Sequence, residues 1–235
     1  AAHDAAEDLI NHEGADESLH LLVLRRALAA CAGTQGKLDP VAWTKEVVAT
    51  GRRLIDESVD PWRRSRLEWE VGLALYDALQ ADQARGYHDH ALSNSALVVK
   101  HVESSLKHRQ QTPHSTHVLG RLYFRIGAIY AVELSDHRMA VTWYQKALPL
   151  LERPLPTPAA ADVGRLGESF VSMGISFWEA NQREEAIRLT HHGISLVMQG
   201  IKNRVISPDA LAVPYSNLAF MHRELGDAKQ AESYA

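Results

Sequence analysis

Tyr123-Phe124-Arg125-Ile126-Gly127-Ala128-Ile129-Tyr130, followed by Ala140-Val141-Thr142-Trp143-Tyr144-Gln145-Lys146-Ala147, decides the fold. In the first segment the rings and the large-small pair fall at i, i+3, i+4 and i+7, one face of a helix. In the second, two small residues stand seven apart with a ring between them. Small residues let two helix backbones approach closely, and the rings fill the space beside them. The same grammar returns as Phe170, Met173-Gly174 and Phe177 with Ala186 and Gly193. It returns again as Tyr215, Leu218-Ala219 and His222 with Ala231.

A weaker copy reads Glu68, Val71-Gly72 and Leu75 with Ala84, His88 and Ala91. In this register the step from the small residue of the first helix to that of the second is 12 for Gly72 to Ala84. It is 13 for Gly127 to Ala140, and 12 for both Gly174 to Ala186 and Ala219 to Ala231. The central large residues Val71, Ile126, Met173 and Leu218 are then 55, 47 and 45 residues apart.

Asp39-Pro40, Asp60-Pro61, Thr112-Pro113, Thr157-Pro158 and Ser207-Pro208 each put a capping side chain before a proline suited to a first helical turn. No period-2 apolar run of strand length occurs. The expected helices are 16–32, 40–57, 61–80, 84–109, 113–134, 136–152, 158–180, 183–201, 208–225 and 228–235, with a weaker one over 3–12. Arg153 to Pro158 reads as a stiff connector between helix pairs.

The chain resembles the tetratricopeptide repeat, W-x2-L-G-x2-Y followed by A-x3-F and a further Ala. Tyr123 to Ala147 is the strongest match, and the resemblance covers about residues 61–235. It implies an all-α fold: a right-handed superhelical stack of antiparallel helix pairs, an α-solenoid. The expected division is 1–60, N-terminal helices forming a degenerate repeat or cap, and 61–235, the array. The array divides at about 61–109, 113–152, 158–201 and a truncated 208–235. The periods exceed the 34 residues of the family.

The bulk numbers agree. The chain has 235 residues, 46% hydrophobic, which suits a large core rather than disorder. A formal charge of −4 argues against a nucleic-acid surface, which needs a basic stripe. Cys31 is the single cysteine, so no internal disulfide can form. That fits a reducing, cytoplasmic setting. Leu19 to Cys31, the longest apolar stretch, is interrupted by His20, Arg25 and Arg26, so no membrane association is expected. With no initiator Met and a helical pattern still running at Tyr234, the chain reads as a piece of a longer protein.

Catalytic signatures are few. Gly33-Thr34-Gln35-Gly36-Lys37 has the glycines and lysine of a phosphate loop but not the spacing, and Leu38 stands where a hydroxyl is needed. His114 and His117 share a helix face and could seed a metal site; a solvated helix start is the plainer reading. His88 and His222 hold ring positions of the pattern, and Trp69 and Trp178 are the tryptophans to watch for exposure. No cofactor, no metal and no catalytic residue are expected.

The opposite face of each first helix holds i−2, i+2, i+5 and i+9. These are Arg66, Glu70, Leu73 and Asp77; Arg121, Arg125, Ala128 and Val132; Glu168, Ser172, Ile175 and Glu179; and Val213, Asn217, Phe220 and Glu224. In the resembling family this face lines a concave groove that holds peptides. It carries three basic and five acidic side chains, and Leu73, Ile175 and Phe220 would be its apolar anchors. The family's Asn- and Lys-based clamp for a C-terminal carboxylate has no match beyond Asn217. An ordinary solvated surface, or one packed on a further domain, remains the alternative. The functional expectation is a non-catalytic scaffold binding a protein or peptide. The alternative is a ligand- or peptide-sensing regulatory region of a larger signalling enzyme or transcription factor. Self-association through residues 208–235 is a further expectation.

Overall fold

The computed structural model describes residues 17–33, 39–108, 111–154 and 160–235. The helix expected over 3–12, the glycine-rich 34–38 and most of the proline connector lie outside the described residues. Every regular element described is helical. The α-helices are α1 Glu17–Gly33, α2 Pro40–Glu57, α3 Pro61–Ala84, α4 His88–His108, α5 Pro113–Ala128, α6 His137–Leu151, α7 Ala160–Glu179, α8 Arg183–Lys202, α9 Ala212–Glu224 and α10 Ala228–Ser233. A π-helical segment, Ile129–Glu133, extends α5, and a 3-10 turn, Pro208–Leu211, leads into α9. The chain divides within α5 into two compact units, residues 1–115 and 116–235.

The boundaries at Pro40, Pro61 and Pro113 fall where capping chemistry puts them. Asp39 accepts from the Val41 N–H, and Asp60 from those of Trp62 and Arg63. Thr112 and Ser115 cap α5 reciprocally. The Ser115 N–H donates to Thr112 Oγ1 at 3.1 Å, and the Thr112 N–H donates to Ser115 Oγ at 2.9 Å. These side chains satisfy N–H groups that the first helical turn leaves without partners.

The turns inside four pairs share one geometry. Gly86, Ser135, Asn181 and Gly226 all have positive φ, between 52° and 79°. The next N–H reaches back to close the preceding helix: Tyr87 to Asp82 O, Gln182 to Phe177 O and Asp227 to His222 O, at 2.8 to 2.9 Å. This is the Schellman arrangement, which uses a left-handed residue to satisfy terminal carbonyls. In the α5–α6 turn Asp136 reaches Tyr130 O, one residue further, because the π segment inserts one extra residue. The same insertion accounts for the step of 13 rather than 12 from Gly127 to Ala140.

These turns correct the first register. Ala84, expected to open the second helix of its pair, is the last residue of α3 and is exposed. Five residues after each positive-φ residue stand Ala91, Ala140, Ala186 and Ala231, so Ala91 is the first small residue of α4. Leu79, not Gly72, then corresponds to Gly127, Gly174 and Ala219. The first copy lies one heptad later in the structure than its sequence pattern suggests. With the turns aligned, Gly86, Ser135, Asn181 and Gly226 are 49, 46 and 45 residues apart. The uneven period of 55 came from the slip.

Gly72 still sits at a helix crossing, two turns before Leu79. A Cβ on Gly72 would lie 2.7 Å from Val102 Cγ2, on Gly120 3.0 Å from Leu151 Cδ2, and on Gly167 2.9 Å from the Val197 nitrogen. Each partner stands sixteen residues after its turn. Gly127 and Gly174 make the second close approach, to Tyr144 and to Thr190 Oγ1. Each long first helix of these pairs therefore meets its partner twice, one heptad apart. Beside Gly72, Ser65 and Ser105 exchange hydroxyl-to-carbonyl bonds across α3 and α4 at 3.1 and 2.8 Å. Leu21, Leu28, Val47, Val71, Leu75 and Leu79 form the buried core of the first unit. Ile126, Tyr144, Phe170, Met173, Phe177 and Leu189 form that of the second.

Candidate binding face

A slip of seven residues turns a helix by only about 20°. The row Arg66, Glu70, Leu73 and Asp77 therefore stays on one face of α3 although its register moved. Arg66 is exposed, and Glu70, Leu73 and Asp77 are half-buried. Arg25 of α1 explains the acidic pair: its Nε donates to Asp77 Oδ2 at 3.1 Å, and its Nη1 lies 3.5 Å from Glu70 Oε2. Burial raises the pKa of Asp77 above the usual carboxylate value, and Arg25 opposes that rise. Sequence reading counted these carboxylates as available to a partner; one guanidinium from the neighbouring helix already binds both.

In the second unit Arg121 is exposed on α5 and Arg125 half-buried, with Val132 exposed on the π segment. On α7, Glu168, Ser172 and Glu179 are exposed and Ile175 is half-buried. On α9, Val213, Phe220 and Glu224 are exposed and Asn217 is half-buried. The face brings together Phe220 and Trp178, whose rings meet edge-on at 6.0 Å across α9 and α7. Trp178, expected as a candidate for exposure, is buried beneath that contact, with the Arg183 guanidinium 4.0 Å from its ring. Trp69 is half-buried.

The other candidates resolve into packing. His117 is buried while His114 is exposed, and among the described residues no group of three or more His, Cys, Asp or Glu could hold a metal ion. His222 packs as a ring, stacked on Tyr234 at 5.7 Å. His88 begins α4 and does not hold a ring position; in the corrected register that place belongs to Ser95. Cys31 is buried, which pushes its thiol pKa up against the lowering influence of Arg85.

Among the described residues, histidine–carboxylate pairs join helices of the first unit: His20 with Glu46, His90 with Asp82, and His101 with Glu68. Asp82 is fully buried and also accepts from Asn94 at 3.0 Å. The second unit holds a cavity of about 290 Å³ walled by His117, Leu151, Val163, Leu166, His192 and Leu196. That is at the small end of sites for organic ligands.

The chain is an all-α protein of helical-repeat type. Neither the family models nor the curated proteins contain a match. Among solved structures, the crystal structure of BtubC (BKLC) from P. vanneervenii is similar, with a TM-score of 0.63 and 15% identity, covering 99% of this chain and 83% of that one. At that identity the likeness is one of fold alone. No helix among the described residues is long and apolar enough to cross a membrane.

Proposed function

We propose that the chain is a non-catalytic tetratricopeptide-like scaffold that binds a peptide or protein along the face of its first helices that lines the concave groove in the resembling family. The observation that carries this reading is that face itself. At recurring positions of α5, α7 and α9 it leaves Arg121, Glu168, Glu179 and Glu224 in solvent, with Ile175 and Phe220 between them as apolar contacts. A partner segment acidic towards α5 and basic towards α7 suits those charges. Exposed charges of this kind govern association rate and salt sensitivity more than final affinity. The reading places the protein in the cytoplasm and gives it neither nucleic acid nor membrane as partner.

The test is capture of partners from the source organism by the parent protein and by Arg121→Glu with Arg125→Glu. Loss of the captured species at low salt supports the reading. Unchanged capture moves the site elsewhere, to the second helices or to residues 16–57.

A further inference from the structure

The first unit carries an exposed aromatic side chain on the face of α3 that bears Arg66, Glu70, Leu73 and Asp77. Trp62, in the first turn of α3, is 69% exposed, and Val59, just before the helix, is 96% exposed. Tryptophan is highly buried on average, so an exposed one at a well-capped helix start stands out. Asp60 fixes that start by accepting from the Trp62 and Arg63 N–H groups at 3.1 and 3.2 Å. Trp62, Arg66, Glu70, Leu73 and Asp77 follow one another by four, four, three and four residues, which places them in one line along the helix.

At the far end of this line Arg25 already pairs with both Glu70 and Asp77. The near end keeps its Asp60 carboxylate on the Trp62 and Arg63 N–H groups. It presents the Trp62 ring, the exposed Arg66 one turn later and the exposed Arg63 beside them. An arginine offers a planar fork to carboxylates, and tryptophan and arginine are the side chains that most often dominate an interface.

We infer that Trp62 and Arg66 form a docking point for an acidic peptide segment that carries an apolar side chain. The inference rests on the scaffold reading and narrows it to one end of the row in the first unit. The carboxylates of the segment pair with Arg66 and Arg63, and its apolar side chain covers the indole and Val59.

The probe is an acetylated octapeptide with a leucine among aspartates and glutamates, added to isotope-labelled protein at low salt. The Trp62 indole N–H resonance is assigned with Trp62→Phe. The expected result is a saturable shift of that resonance, weakened roughly tenfold or more by Arg66→Glu and by Trp62→Ala. It should be absent with a peptide whose acidic residues are replaced by lysine. Both substitutions are at exposed positions, so melting temperatures should match the parent. An indole resonance unmoved by the acidic peptide overturns the inference, as does unchanged affinity in Trp62→Ala. A shift produced by anionic phospholipid vesicles and not by the peptide overturns it in favour of a lipid surface. If the peptide instead moves Arg121 and Arg125 while Trp62 stays still, this inference fails and the wider scaffold reading survives.

Discussion

Gly167 and Gly193 face each other across α7 and α8 so closely that neither can carry a side chain. A Cβ on Gly167 would lie 2.7 Å from the Gly193 carbonyl oxygen, and a Cβ on Gly193 would lie 2.6 Å from that of Gly167. The obstacle is backbone on both sides, so no rotamer change relieves it. Gly167→Ala and Gly193→Ala should each cost about 1–3 kcal/mol, as overpacking does. Denaturant midpoints measured with an unchanged slope check this, and parent-like midpoints would mean that the two helices are further apart.

The corrected register makes a second prediction. Gly72 belongs with Gly120 and Gly167, and Leu79 with Gly127 and Gly174. Leu79 is fully buried while Gly72 meets Val102. Leu79→Gly should therefore be strongly destabilising, by about 2–5 kcal/mol or more, because it opens a cavity and adds a helical glycine. Under the register with Ala84 in the second helix, Leu79 lies near the end of its helix and the same change would cost little. Thermal melts decide between the two.

Glu68 and Asp82 predict opposite responses to acid. Burial disfavours ionisation of Glu68, but the bond from His101, its charge, Ser104 and Arg64 together hold its pKa below the ordinary 4.5. Its contribution to stability is present above that value and is lost as pH falls through the lowered folded value. Burial raises the pKa of Asp82 above 3.8 despite His90 and Asn94, with Asp39 adding to the rise. Its ionisation therefore costs stability, fully so above the raised value and not at all below 3.8. Between pH 3 and 7, Glu68→Gln should flatten the acid loss of stability, whereas Asp82→Asn should steepen it. Parallel curves for parent and both variants would contradict these assignments.

Phe220 and Val213 lie a heptad apart on α9, and both are exposed, as is Leu225. Apolar groups in that number favour contact with another copy or another chain. Sedimentation velocity should show association that grows with concentration and weakens in Val213→Lys with Leu225→Lys. A monomer at all concentrations counts against a role for this surface in self-association.

Helix identity and pairing were legible because Tyr123 to Ala147 combines periodicity, capping and small-residue crossings in one stretch. The heptad slip in the first copy has a physical origin. The long helices cross twice, so Gly72 carries the same small-residue signal as Gly174, seven positions away from its true counterpart. Gly86, five residues before Ala91 as Gly226 is before Ala231, was the signal that could have settled it. The π segment left only a step of 13 among steps of 12. Nothing in the local pattern announced that Arg25, more than forty residues away, would take up Glu70 and Asp77. Nor did it separate the exposed Trp62 from the buried Trp178, since burial depends on which helix lies above each ring.

The most direct measurement places a photo-crosslinking residue at Ser172, exposed in the middle of the α7 row, or at Gln145, exposed on the second helix of the preceding pair. The scaffold reading predicts that Ser172 yields a covalent adduct with a captured partner, lost on Arg121→Glu with Arg125→Glu, and that Gln145 yields none. Adducts from Gln145 and none from Ser172 would contradict it.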